Sequence, residues 1–265
     1  MKKRKLETRK QIFKKSPLLS HGFTHEEKKD IKRIDFKNSF IDSENVKILS
    51  LNLFNCGNLT QIDLSSNCIG VTGIAQLVSS ILESRIPLQK LDISNNFIEN
   101  YHSARLDELI ELCPTLVDLN LSNTRPKNDG LKLFLTQLIY NRTLKQINLS
   151  RNTIGNGCKT ILCELFEQNC TLRIVNLDHT KLHGIAISEI VHKIIQNPFL
   201  TCVSIFSLKI PSIRDILKDV FLKKTEEKKR VILTLCLIRD FCKDSCIHID
   251  AFPTDMWNLL INFIL

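Results

Sequence analysis

Ten cysteines and seven histidines carry most of the chemical potential of this 265-residue chain. Cys236, Cys242, Cys246 and His248 crowd together near the end and could be read as four soft ligands for zinc. Structural zinc sites pair their ligands at short, repeated spacings. The separations here, five, three and one residues, fit no common finger. Cys242 also coincides with an inward-facing apolar position, so these thiols are expected to be structural, with no metal and no cofactor. His179 and His183 stand four apart, but in a strand-to-helix loop, where they are expected to be solvated rather than paired on one helix face. A cysteine–histidine nucleophile needs a local signature beside it, and none is present. Neither GxxxxGK[ST] nor GxGxxG occurs, so no phosphate-cradling loop is available. Nothing here supports catalysis or a small-molecule substrate. A non-enzymatic role is expected.

Charge marks a second feature. The chain has 37 basic and 28 acidic residues, a formal net charge of +9. Twelve of the basic side chains and four of the acidic ones fall in residues 1–33, giving +8 there and +1 in the remainder. A nearly neutral body argues against a nucleic-acid-binding surface. The cluster Lys2, Lys3, Arg4 and Lys5, followed by Arg9-Lys10 and Lys14-Lys15, is of the nuclear-import or anionic-surface type. No apolar h-region follows it, and no apolar run reaches the ~20 residues of a membrane span. Ten scattered cysteines without a secretory signal imply free thiols in a reducing, intracellular compartment.

The elements that must position any site come from a repeat. Segments beginning at Leu59, Leu88, Leu116, Leu144 and Leu172 share the template L-x-x-L-x-L-x-x-N-x-L, at separations of 29, 28, 28 and 28 residues. The frame extends back to Ile31 and forward to Leu200. It resumes at Ile232 after the charged insertion Lys223–Arg230. Alternation such as Ile62 and Leu64 predicts a short strand with one face inward. Ile74, Leu77, Val78, Ile81 and Leu82 then follow helical spacing, as do Ile187, Ile190, Val191, Ile194 and Ile195. Asn141, Asn169 and Asn197 fall 28 apart at expected helix ends, where asparagine suits a left-handed residue. Asn67, Asn96 and Asn152 are expected to satisfy turn backbone between coils. Ser39, Thr124, Thr180, Leu208 and Asp240 hold the equivalent slots.

This template resembles the leucine-rich repeat in its ribonuclease-inhibitor-like form, over about residues 31–242. The resemblance implies an α/β leucine-rich-repeat solenoid, a curved horseshoe with parallel concave strands and convex helices. Residues 1–30 would be a basic N-terminal extension or cap, 31–242 the solenoid of about eight repeats, and 243–265 a C-terminal capping segment. Repeat proteins of this kind present a rigid surface to a protein partner. Isolated, basic-tailed chains of this length also resemble leucine-rich-repeat effectors translocated by intracellular bacterial pathogens. That resemblance implies a monomer acting on a host protein inside the cell, with the nucleus open to it through the leader.

Outward strand positions are the third, fifth, seventh and eighth of the template. In the middle coils these are bland, for instance Gln61, Asp63 and Ser65. Towards the C-terminus they become Ile174, His179, Cys202, Phe206, Cys236, Ile238 and Arg239. Apolar residues where the template is polar suggest a contact surface with Phe206 and Arg239 as anchors, or one covered by the C-terminal segment. That segment, FPTDMWNLLINFIL, has Pro253 and Asp255 at a helix start and one apolar face beyond. It reads as a cap. It also resembles the opening of an F-box, with Pro253, Asp255 and Trp257 in the docking region for a Skp1-like subunit, although an F-box needs around forty residues and the chain stops after the first helix.

Overall fold

In a computed structural model, the 28-residue period becomes a strand, a turn and a returning helix. The structure describes residues 30–54 and 56–205 (the backbone alone at 195) and the backbone of two further strands, Ile12–Phe13 and Ile232–Thr234. The chain divides into two compact units, Met1–Gln137 and Leu138–Leu265.

In the first unit the order is β1 (Ile12–Phe13), β2 (Arg33–Asp35), α1 (Ser43–Asn52), β3 (Gln61–Asp63), α2 (Val71–Glu83), β4 (Lys90–Asp92), α3 (Leu106–Leu112) and β5 (Asp118–Asn120). The division falls inside the helix that follows, α4 (Asn128–Tyr140). All strand pairs are parallel, and the inward residues Ile34, Ile62, Leu91 and Leu119 stand in register. In the second unit β6 (Gln146–Asn148), α5 (Lys159–Gln168), β7 (Ile174–Asn176), α6 (Ile185–Gln196), β8 (Cys202–Ser204) and β9 (Ile232–Thr234) follow the same plan. There Ile147, Val175, Val203 and Leu233 are the register partners. The fold is an α/β leucine-rich-repeat solenoid. Among the described residues no helix is long and apolar enough to cross a membrane.

Burial explains why each coil closes on itself. Leu59, Ile62, Leu64 and Ile69 are at most 2% exposed, and so are their counterparts Leu88, Leu91, Ile93 and Ile98. Helix α2 buries Gly73, Ile74, Leu77, Val78 and Ile81, the stripe that the spacing predicts, with Leu82 at its edge and part-exposed. Helix α6 buries Ile187, Ile190, Val191 and Ile194.

Polar residues then lock one coil to the next. Asn67 donates through Nδ2 to the carbonyls of Phe36 and Leu64, while its Oδ1 accepts from the amides of Ser39 and Ile41. Asn96 repeats the pattern with Leu64, Ile93 and the Ile69 amide. At Thr124, the next slot, the side chain is shorter. Its hydroxyl lies 2.6 Å from that of Tyr101, a buried tyrosine that crosses from the preceding coil. Burial is the first cause that holds the Tyr101 phenol far above its ordinary pKa; the bond to Thr124 opposes it.

Two sequence expectations need correction. None of Asn141, Asn169 and Asn197 is left-handed; Asn169 and Asn197 have φ of −77° and −82°. Their side chains hold the helix ends instead. Asn169 Nδ2 donates to the carbonyls of Leu138 and Asn141, and Asn197 Nδ2 to those of Phe166 and Asn169. Left-handed backbone occurs at the template's eighth position, in Asn38, Ser66, Asn95, Asn123, Arg151 and His179. The second correction concerns the eighth repeat. Ile232, rather than Thr234, pairs with Cys202, so β9 enters two residues earlier than the template alignment places it.

Candidate protein-binding face

Strand residues that turn away from the helices form columns, one residue per coil. In the first unit the third-position column is Arg33, Gln61, Lys90 and Asp118, and the fifth is Asp35, Asp63, Asp92 and Asn120. These carboxylates brace the turn before they face solvent. Asp63 accepts from the Ser65 amide at 3.0 Å and from its hydroxyl at 2.7 Å, and Asp92 holds Ser94 in the same way. The seventh position is therefore not uniformly outward: Ser65 and Ser94 are buried, whereas Lys37 in the first coil is exposed. Sequence spacing missed this because alternation ends with the strand, and the hydroxyl folds back onto the fifth-position acid.

Charges on this face are satisfied between neighbouring coils. Arg33 reaches Asp35 at 3.1 Å and Asp63 at 3.8 Å, Lys90 reaches Asp118 at 3.1 Å, and Asn120 donates to Asp92. At the eighth position Asn123 donates to Asn95, which donates to Ser66. The face is polar and fixed in register.

In the second unit Gln146, Ile174 and Cys202 form the third-position column. Ile174 is half-buried and Cys202 is 8% exposed, so of this expected apolar patch little is open at Cys202. His179 is exposed and left-handed at the strand exit. His183, also exposed, meets the Asn156 side chain through its ring and backbone, as expected of a loop residue. Asp178 accepts from the Ser204 hydroxyl at 2.6 Å. The remaining expected contacts, Phe206, Ile238 and Arg239, lie outside the described residues. So do Lys2, Lys3, Arg4, Lys5, Pro253, Asp255, Trp257, Leu208, Asp240 and the Cys236–His248 set.

Beyond the strand exits, the template's tenth position makes an edge that sequence reasoning did not single out. It holds Phe40, Cys68, Phe97 and Arg125 in successive coils, with Phe40 87% exposed and Phe97 54% exposed. The Arg125 guanidinium lies over the Phe97 ring, 4.6 Å from its centroid. Two residues further on, Lys127 pairs with Glu99 and holds that carboxyl below its usual range, first through the hydrogen bond and then through its charge.

A shallow groove of about 170 Å³ beside Phe166, Asn169, Lys193 and Phe199 is smaller than ordinary ligand pockets and carries the Lys193–Glu167 ion pair. Among the described residues no three of His, Cys, Asp or Glu gather in a way that could hold a metal ion. The described cysteines are free thiols, most of them buried.

A family profile described as "Leucine Rich repeat" matches residues 55–78 and 140–157. The chain is similar to NACHT, LRR and PYD domains-containing protein 3 of Rattus norvegicus, 24% identical over 165 residues, covering 51% of this chain and 16% of that protein. NACHT, LRR and PYD domains-containing protein 12 of Homo sapiens is 24% identical over 199 residues, covering 64% and 19%. Among solved structures, Leiomodin-1 Actin-Binding Site 2 aligns over 73% of this chain and 79% of its own, at 11% identity and a TM-score of 0.35. The chain thus spans less than a fifth of the curated relatives it matches. The profile match and the strand–helix coils together identify leucine-rich repeats in this chain.

Proposed function

We propose that this chain binds a protein partner on the open strand face of its repeats. The supporting observation is the register. Arg33, Gln61, Lys90 and Asp118, and separately Gln146 and Ile174, are carried on paired strands that fix their spacing before a partner arrives. A preorganised surface avoids the ordering cost that weakens association. The expected contact patch of Ile174, His179, Cys202, Phe206, Ile238 and Arg239 is part of this proposal. The strand–helix coil of about 28 residues also supports the ribonuclease-inhibitor-like subtype.

Affinity capture from eukaryotic lysate, with prey identified by mass spectrometry, tests the reading. Lys90→Glu/Asp118→Lys and Ile174→Glu/His179→Ala are compared with the unaltered chain after circular dichroism shows equal folding. A partner that drops about tenfold or more with either pair places it on that strand face. Undiminished capture by both pairs sinks the proposal. Delivery into a host cell and entry to the nucleus through Lys2–Lys5 are the finer form of this proposal. The F-box-like alternative predicts instead that Asp255→Ala/Trp257→Ala removes a Skp1-like prey alone.

A further inference from the structure

The edge formed by the tenth and twelfth template positions repeats one arrangement twice, filled in one place and open in the other. In the third coil's loop the pair Phe97-x-Glu99 receives Arg125-x-Lys127 from the coil that follows. The guanidinium stacks on the ring at 4.6 Å, the ammonium pairs with the carboxylate, and the Lys127 amide donates to the Glu99 carbonyl. Two coils earlier stands Phe40-x-Asp42, an aromatic and an acid at the same template positions. The coil that follows it offers Cys68-x-Gly70, which supplies no cation. The Phe40 ring is left 87% exposed.

Phe40 is also costly to hold where it is. Its φ is +55°, a left-handed conformation that bulky side chains rarely adopt, whereas Phe97 is not left-handed. The conformation is enforced from both sides, because Asn67 Oδ1 accepts from the amides of Ser39 and Ile41. The inter-coil ladder therefore props an aromatic ring outward beside an exposed carboxylate. Asp42 keeps its own structural task, accepting from the Asn45 amide at 2.8 Å as the cap of α1.

We propose that Phe40 and Asp42 form a docking site for a basic stretch of a partner protein, an Arg-x-Lys type segment. Such a segment would approach Phe40 and Asp42 from the solvent side, because Cys68–Gly70 of the next coil already takes the place that Arg125–Lys127 takes beside Phe97 and Glu99. It would reproduce only the side-chain pairing seen there. The arginine takes the ring face, where a planar guanidinium gains most, and the lysine takes the carboxylate. This rests on the reading of the chain as a protein-binding module and names the chemistry of one contact.

The test is an amide-shift titration of the ¹⁵N-labelled full chain with a capped synthetic pentapeptide of the sequence of residues 124–128. Saturable shifts centred on Phe40–Asp42 are expected, with apparent affinity about tenfold lower in Phe40→Leu/Asp42→Asn. Leucine keeps an apolar side chain and asparagine keeps the helix cap, so the double variant remains folded. Replacing the peptide's arginine by citrulline and its lysine by acetyl-lysine should abolish the shifts. Shifts that survive the double variant, or centre elsewhere, or never saturate, overturn the proposal. Binding seen only when Lys3→Glu/Arg4→Glu is installed in the full chain also overturns it, because the occupant is then the chain's own leader. If lysate capture still fails with strand-face variants but persists in Phe40→Leu/Asp42→Asn, this site falls and the module reading stands.

Discussion

Replacing Asn96 by alanine strips an acceptor from the Ile69 amide and donors from the carbonyls of Leu64 and Ile93, all inside the structure. Orphaned buried groups set the magnitude, so a loss of about 2–3 kcal/mol in urea unfolding is expected, against less than about 0.5 kcal/mol for Gln89→Ala at the surface. A loss no larger than the surface control would show that the ladder is decorative. His102 makes a different prediction. Its Nδ1 lies 2.7 Å from Asp107 Oδ2, and that hydrogen bond, then the charge of Asp107, raises its pKa, with Glu108 adding and desolvation opposing. A raised folded pKa means stability that is complete below the ordinary histidine value near ~6.5 and lost as pH rises through the folded value. The unaltered chain should thus exceed His102→Gln in urea midpoint at about pH 5.5, with the gap closing towards about pH 9. A gap of constant size would remove the ion pair as its cause. The asparagine ladder was legible at single-residue level, because its slots recur in phase. The pairing of His102 with Asp107 was not, because residues 101–105 form turns where the flanking coils already have helix, and α3 begins late.

Helix α4 approaches the turn at Asn100–Tyr101 so closely that Gly130 has no room for a side chain. A Cβ there would overlap Asn100 Oδ1 and lie 3.0 Å from the Tyr101 amide nitrogen. Alanine would favour the helix intrinsically, yet Gly130→Ala should destabilise by about 1–3 kcal/mol through overpacking. A neutral or stabilising result would mean that the turn gives way. Helix α1 offers the converse case, a capping box between Asp42 and Asn45. Asp42→Ala should cost about 1 kcal/mol and Asp42→Asn little, read as the difference in urea midpoint. Equal losses would assign the effect to charge rather than to the cap. Element boundaries followed from the repeat wherever apolar spacing persisted. Residues 101–105 broke it: Tyr101 turns inward to reach Thr124, Arg105 takes a left-handed φ of 58°, and α3 is left with seven residues. The edge pairing of Phe97-x-Glu99 with Arg125-x-Lys127 was written in the sequence at positions ten and twelve. It stayed hidden because only the strand positions were compared between coils.

Across the whole molecule, thiol accessibility gives a direct check on how the coils bury their cysteines. Cys56, Cys113, Cys158 and Cys202 are buried, and Cys68 is exposed. Peptide mapping after brief alkylation of the native chain should find Cys68 modified and those four protected until denaturant is added. Early modification of Cys113 or Cys158 would contradict the packing. The architecture as a whole was the most legible level, since several in-phase copies of one template admit one kind of stacking. The ends were the least legible, because a terminal coil departs from the period that betrays the others. Strand β1 shows this: it pairs through Ile12 and Phe13 with Arg33 and Ile34, inside a stretch whose charge alone suggested an extension. Among the described residues, Ile12 and Phe13 are what pair with that edge of β2. A parallel sheet ending in bare amides and carbonyls is a template for adding foreign strands, and short or obstructed edges are how folded chains escape aggregation. Loss of that small pairing, by proteolysis or by a proline at Ile12, would turn the Arg33–Asp35 edge into a seed for end-to-end polymerisation.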